Sequence, residues 1–425
     1  MKKEPQMNTD GHRLNSFLRK LLDGAEVEWK ALGELGALVR GNGLPKSDFT
    51  ESGIPAIHYG QIYTYYGLST KTTKSFVSPD TAERLRKVSY GDVVITNTSE
   101  NLEDVGKALV YLGKEQAVTG GHATIFKPSG GITGKYLAYF TQTKTFADAK
   151  REYSKGTKVI DVSATDMAKI QIPIPCPEDP KKSLEIQSEI VRILDTFTEL
   201  TTELTTELTN RKKQYNHYRD QLLSFEDGEV EWKTLGDVVH IKTGASVSRD
   251  LISKNPGYFP VINSGKEPLG FINQWNTEND PIGITSRGAG VGSVTYQEGK
   301  YFRGNLNYSV SIKNKRNLHL RYLYHLMLHM QRDIQALCTF DGIPALNAGN
   351  LKELQIPIPH SNNPEKSFAE QTRIAATLDK FNTLTHSINE GLPREIELRQ
   401  KQYEYYRNLL LNFPKPKKGT TDEHR

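Results

Sequence analysis

From Ile190 onward the apolar residues fall at Ile190, Leu194, Phe197, Leu200, Leu204 and Leu208, then at Tyr215, Tyr218, Leu222 and Phe225. Steps of three and four dominate, which keeps these side chains on one stripe of a helix and predicts the seam of a coiled coil. A second run, Ile374, Leu378, Phe381, Leu384 and Ile388, then Tyr403, Tyr406, Leu410 and Phe413, repeats the pattern near the C-terminus. The expected seam is Leu194, Phe197, Leu204 and Leu208 against Leu378, Phe381, Leu384 and Tyr406. If wholly helical, Glu185 to Phe225 would span roughly 60 Å. The first run also contains a small repeat, ELTT-ELTT-ELT from Glu199 to Thr209. Four residues nearly preserve a helix face, so such a unit changes length while keeping the seam. In the second run Gly391 and Pro393 interrupt the pattern, which predicts a kink or short break with Pro393 in the first turn of a resumed helix.

The rest of the chain reads differently. Short β-rich runs at Asp92–Thr96, Ala123–Phe126, Pro281–Thr285 and Tyr308–Ile312 sit between glycine-containing turns. Single helices are expected near Lys135–Tyr153 and Leu320–Leu337. Together with 20 prolines and 34 glycines, this indicates mixed α/β regions rather than a helical bundle.

The chain is also written twice. EVEWK at Glu26–Lys30 returns at Glu229–Lys233, and IQIPIP at Ile170–Pro175 returns as LQIPIP at Leu354–Pro359. RKKQYNHYRDQLLSF at Arg211–Phe225 returns as RQKQYEYYRNLLLNF at Arg399–Phe413. The frames match while the segments between them differ in length and in most residues. The implied organisation is an N-terminal helical segment (1–25), a globular domain (26–175), a central helical region (176–228), a second globular domain (229–359), a C-terminal helical region (360–413) and a disordered basic tail (414–425). Phe17–Gly24 reads as the end of a helix whose beginning lies at the far C-terminus. The expected architecture is therefore circular, two α/β domains joined by two long antiparallel helices around a pseudo-twofold axis.

At 425 residues with a formal charge of +5, the composition permits nucleic-acid binding without demanding it. Cys176 and Cys338 are too few for a disulfide framework or a cysteine zinc site. No apolar run has the length of a membrane span, and MKKEPQMNTDGHR has no signal-peptide core, so a cytoplasmic location is expected.

The duplicated EVEWKxLG starts, IPIP closures and helices ending in KQYxxYRxxLLxF resemble, over nearly the whole chain, the specificity (S) subunits of type I restriction–modification systems. The resemblance implies two target-recognition domains, each reading one half of a bipartite double-stranded DNA sequence. It implies that the helices separate the readers and dock methyltransferase (M) subunits, expected to be two, with motor-nuclease (R) subunits joining the full complex. S-adenosylmethionine, ATP and magnesium would belong to those partners, with no cofactor or metal on this chain.

The residues agree that the chain is no catalyst by itself. There is no Asn-Pro-Pro-aromatic motif, the nearest string being Asn255–Phe259 (NPGYF), and no phosphate loop. Arg287–Gly292 (RGAGVG) lacks the dinucleotide-loop spacing and is followed by a strand-like run. A tight turn and a close backbone approach to DNA are both open there. His325 and His329 stand at i,i+4, but the interleaved Leu326, Met327 and Leu328 favour a packed helix over a metal site.

Readout needs donors and acceptors at base edges and cationic or amide contacts to phosphate. In the first domain the candidates are His58, Tyr59, Gln61, Tyr63 and Tyr65 with Lys71, then Thr96 and Asn97, and Lys155 and Lys158 as phosphate clamps. For the tyrosine-rich run, a polar loop with partly buried rings is the equal alternative. In the second domain they are Lys242, Thr243, Ser246, Ser264, Lys266, Ser286, Arg287 and Asn305. Arg287 leads, because an arginine on a glycine-rich loop can meet guanine O6 and N7 together; a surface ion pair is its alternative. Two rival functions stand beside this reading: a tandem-repeat interaction scaffold without a DNA role, and a methyltransferase with a divergent site.

Overall fold

The structure, a computed structural model, describes residues 22, 24, 26–226, 230–265, 267–386 and 391–414. Most of the expected helix end at Phe17–Gly24, together with Lys266, Ile388 and the tail beyond Pro414, lies outside the described residues. The chain divides into two compact units, Met1–Thr202 with Glu397–Arg425, and Glu203–Ile396. Each unit thus combines the start of one helical repeat with the end of the other.

In the first unit, strand Val27–Ala31 pairs antiparallel with Gln171–Pro175, so EVEWK and IQIPIP close the domain on themselves. Between them lie two five-stranded sheets. One runs Gly36–Arg40, Ala123–Pro128, Val93–Thr96, Ala108–Tyr111, Ser69–Thr70; the other runs Phe49–Thr50, Ser75–Val77, Ile54–Ile57, Ala117–Thr119, Arg86–Val88. Strands Val93–Thr96 and Ala108–Tyr111 are buried throughout, which explains their apolar runs Val93–Ile95 and Ala108–Tyr111. Alternate residues serve two cores. Val93, Ile95, Val110 and Phe126 pack with the helices, and Val94, Leu109, Tyr111 and Ile125 form a separate cluster.

The second unit closes in the same way, Val230–Thr234 pairing with Gln355–Pro359. Its sheets are smaller, Val239–Thr243, Asn307–Ile312, Ile282–Thr285, Val294–Tyr296 and Phe271–Ile272, Pro256–Ile262, Phe302–Arg303. The helix expected at Lys135–Tyr153 is two helices, Gly134–Phe140 and Lys144–Tyr153. The second starts afresh because the Thr143 hydroxyl accepts the Phe146 N–H at 3.3 Å as an N-cap. The expected Leu320–Leu337 helix likewise divides into Leu320–His329 and Gln331–Ala336 at Met330. Apolar periodicity continues through both breaks and conceals them.

The long helix runs unbroken over Pro180–Leu223, 44 residues, or roughly 66 Å at 1.5 Å per residue. Its counterpart is divided into Pro364–His386 and Gly391–Leu411. Gly391 has φ +74°, and a Cβ there would lie 2.6 Å from the Thr383 carbonyl oxygen, so only glycine fits the break. Pro393 sits in the first turn of the resumed helix, as the sequence predicts.

The helices pack antiparallel through matching contacts. In the first unit Phe197 stacks on Tyr406 with ring centroids 4.9 Å apart. The Trp29 indole N–H donates to the Pro414 carbonyl oxygen at 3.0 Å, returning the C-terminal segment to the strand pair from which the long helix leaves. In the second unit Phe381 stacks on Tyr218 at 5.2 Å, the same contact with the repeats exchanged. Leu194 and Leu378 are fully buried; Leu204, Leu208 and Leu384 are half-buried.

Each domain is fastened to its long helix by one duplicated set of bonds. Gln187 Oε1 accepts the Thr133 N–H at 2.9 Å and its amide donates to the Gly131 oxygen at 3.0 Å. Gln371 does the same with the His319 N–H at 2.8 Å and the Asn317 oxygen at 3.1 Å. About two turns on, Asp195 receives Lys135 Nζ at 2.6 Å and Tyr139 OH at 2.7 Å. Asp379 receives Arg321 Nε at 2.8 Å and His325 Nε2 at 2.7 Å.

Candidate nucleic-acid interface

Six chain segments meet at one edge of the first domain, where a cleft of about 820 Å³ opens. Strand Ile54–Ile57 delivers His58, whose Nδ1 accepts the Gly60 N–H at 3.2 Å and so caps helix Tyr59–Thr64. An aromatic row follows: Phe49 lies edge-on to His58 at 5.5 Å, His58 lies against Tyr59 at 4.6 Å, and Tyr59 against His122 at 4.7 Å. Burial, then the charges of Lys46 and His122, lower the His58 pKa and favour the neutral imidazole. Tyr63 donates to the Thr98 carbonyl oxygen at 2.6 Å, and burial raises its pKa. Gln61 donates to Ser75 Oγ at 2.6 Å. Lys46 and Lys74 share the cleft with Glu100 and Asp104. Its walls are therefore aromatic and amide-bearing, with mixed charge rather than a plain cationic trough.

The second domain builds the same edge from other residues. In the first domain the Asn97 N–H donates to the His122 oxygen and the Val162 N–H to the Asn97 oxygen, both at 2.9 Å. In the second the Ser286 N–H donates to the Leu306 oxygen at 2.9 Å and the Leu346 N–H to the Ser286 oxygen at 2.8 Å. Asn97 and Ser286 are thus counterparts, as are His122 and Leu306. Thr119 pairs in parallel with Ile57 and Arg303 with Ile262, which makes His58 the counterpart of Asn263. Asn263 Oδ1 accepts the Leu306 N–H at 2.9 Å, fixing one loop against the next. Arg287 bridges to Ala345 as Thr98 pairs with Asp161.

Of the residues singled out by sequence, His58, Tyr59, Gln61 and Tyr63 come together in the cleft. Tyr65 is exposed beneath Lys74, whose Nζ stands 4.8 Å from the ring centroid, and Lys71 is exposed on the next turn. Thr96 and Asn97 have no exposed surface. The Thr96 hydroxyl donates to the Asp104 oxygen at 3.1 Å and accepts the Lys107 N–H at 3.0 Å, so it holds the loop from within. Lys155 reaches Asp166 at 3.0 Å and Lys158 is exposed, both on one hairpin. Lys169 and Lys155 hold the Asp166 carboxyl well below its ordinary range. Lys242, Thr243 and Ser246 are exposed at the end of strand Val239–Thr243 and just beyond it, and Ser264 follows Asn263. Ser286 is buried, whereas Arg287 and Asn305 are exposed beside it.

The RGAGVG run is a tight turn, with Gly288 and Gly292 at φ +94° and +76°, between strands Ile282–Thr285 and Val294–Tyr296. His325 does not pair with His329: it donates to Asp379, and Tyr215 OH meets its Nδ1 at 3.2 Å. His329 meets Asp220 at 3.0 Å. Among the described residues no group of side chains could hold a metal ion, and no helix is long and apolar enough to cross a membrane. Sequence reasoning missed Lys46, Asn101 and His122 of the cleft. It also missed Val159 and Ile343, the apolar residues in the loops closed by Lys155 with Asp161 and by Thr339 with Ala345, whose equal distance from the duplicated IPIP closures was the available signal.

The chain matches the model of the type I restriction modification DNA specificity domain over residues 25–213 and again over 228–398. A type I restriction enzyme specificity subunit of Escherichia coli is 36% identical over 424 residues, covering 94% of this chain and 98% of that one. The specificity subunit of the E. coli EcoprrI enzyme is 32% identical over 391 residues, covering 88% and 92%. The crystal structure of a type I restriction–modification S subunit from M. genitalium superposes with a TM-score of 0.60 at 17% identity, covering 93% of this chain and 98% of that one. With two matching domains and relatives that cover most of its length, the chain belongs to the type I restriction–modification DNA-specificity family.

Proposed function

We propose that this chain is the non-catalytic subunit that gives a type I restriction–modification complex its DNA sequence, each domain reading one half of a bipartite double-stranded target. The observation that carries this reading is the edge built twice on one backbone plan from different side chains, His58, Tyr59, Gln61 and Tyr63 in one domain and Asn263, Ser264, Arg287 and Asn305 in the other. One scaffold with two different sets of donors and acceptors suits two different half-sites. The helices dock methyltransferase subunits, and motor-nuclease subunits join in the full complex. S-adenosylmethionine, ATP and magnesium act in those partners.

The long helix also sets the gap between half-sites. Deleting Thr201–Leu204 removes one ELTT-length unit from helix Pro180–Leu223 while nearly keeping its apolar face. Cells carrying that deletion should methylate a motif with unchanged half-sites and a shorter spacer. An unchanged spacer in their methylation map would refute the ruler, and changed half-sites would refute the division of labour between helices and domains.

A further inference from the structure

A five-residue hairpin stands at the candidate edge of each domain. In the first, Lys155 and Asp161 close it with paired backbone bonds of 2.9 and 2.8 Å. In the second, Thr339 pairs with Ala345 and Cys338 with Leu346. The two loops, GTKVI and FDGIP, share little sequence. Yet the fourth loop position is an exposed β-branched apolar residue in both, Val159 at 58% and Ile343 at 71% exposure, with Phe340 at 64% beside the latter. Scattered exposed apolar residues are ordinary; the same position in both copies, in loops otherwise unrelated, is not explained by that.

The surroundings say what these tips face. Val159 lines the cleft with His58, Tyr59 and His122. In the second domain the Gly288 N–H donates to the Pro344 oxygen at 2.9 Å and Arg287 bridges to Ala345, so the tip adjoins the arginine best suited to guanine. The tips are also held in place. Gly156 has φ +99°, and a Cβ there would fall 2.0 Å from the Val159 oxygen, so that turn admits only glycine. A pre-ordered apolar tip meets a ligand without the entropy cost of ordering a loop.

Resting on the reading of this edge as a DNA interface, we propose that Val159 and Ile343 are specificity residues that pack on thymine C5-methyl groups in the major groove, one in each half-site. The thymine methyl is the apolar feature of a base edge there, next to the acceptors that an arginine reads. Short branched side chains fit against a methyl group, and the adjacent polar readers supply the donors and acceptors for the remaining base edges.

The test uses the chain in complex with its methyltransferase subunit and duplexes bearing the bipartite motif taken from the methylation map. Arg287→Ala identifies the half-site read by the second domain. Replacing the thymines of that half-site one at a time by uracil should weaken wild-type binding at one position by roughly fourfold, the worth of one buried methyl group. Ile343→Ser should weaken binding to the thymine duplex by at least as much and be indifferent to uracil at that position, with melting temperature and binding to unrelated DNA unchanged. Val159→Ser should behave likewise in the other half-site. Equal sensitivity to uracil in wild type and variant, or none in either, would overturn the proposal while leaving the half-site reading intact. Wild-type binding that ignores single-base changes throughout the motif would overturn both.

Discussion

Individual residues at the two edges divide into those that build the loops and those free to meet a ligand. Thr96, Asn97 and Ser286 have little or no exposed surface, and Thr96 is held by bonds within the loop. Arg303 looks as capable of readout as Arg287. It is nevertheless buried, donating to Asn307 Oδ1 at 2.5 Å and to the Asp280 oxygen at 2.7 Å. Arg287→Ala should therefore weaken binding to one half-site by about 1–3 kcal/mol and relax base preference at one position. A competition assay with single-base variants checks this; a uniform loss across all sequences would assign Arg287 to phosphate instead. Tyr63→Phe removes the bond to the Thr98 oxygen and should loosen the cleft wall by about 1 kcal/mol, read as faster amide exchange at Thr98–Asn101. The tyrosine-rich run was legible in sequence because polar and aromatic residues cluster there. His122, Val159 and Ile343 were not, since isolated residues acquire meaning only when strands far apart in sequence bring their loops together.

At the scale of elements, the fasteners between domain and helix repeat with altered chemistry. Lys135 and Tyr139 on Asp195 become Arg321 and His325 on Asp379. Burial lowers the His325 pKa, so the neutral ring can donate from Nε2 to Asp379 and accept Tyr215 OH at Nδ1. Burial alone would raise the Asp379 pKa, but His325 and Arg321 outweigh it and bring the carboxyl from 3.8 down to about 2. The stabilisation is thus complete above about pH 4 and lost as the pH falls through 2. Asp379→Asn should lower the melting temperature at neutral pH and abolish the part of the acid transition in that window. A wild-type-like acid profile in the variant would show that the network carries no such linkage. The long helices and their break at Gly391 were legible from periodicity and glycine–proline punctuation. The restarts at Thr143 and Met330 were not, because the apolar stripe continues through each.

At the scale of the whole molecule, duplicated strings in the sequence become duplicated strand closures, helix contacts and loop-bearing edges. Residues 397–414 belong to the compact unit of the N-terminal domain. Removing 397–425 strips Leu410, Leu411 and Phe413 from that unit's core, each worth about 1.5–3 kcal/mol in burial. Hydrogen exchange should then rise around Ile186–Leu194 and Trp29, while residues 230–359 keep their protection. Loss of protection in the second domain instead would contradict the division. The domain frame was readable from the repeats, but the common plan of the interiors was not, since it is held by backbone register and not by shared side chains. The proposed function makes this chain the source of sequence specificity in a methylating complex. Its most direct test is the genome-wide methylation pattern of cells carrying the cognate methyltransferase subunit with and without this chain. A bipartite motif that disappears with the chain, and whose halves change one at a time when either domain is exchanged, is the expected result. An unchanged pattern with the partner shown to be active would contradict the account and favour an interaction scaffold.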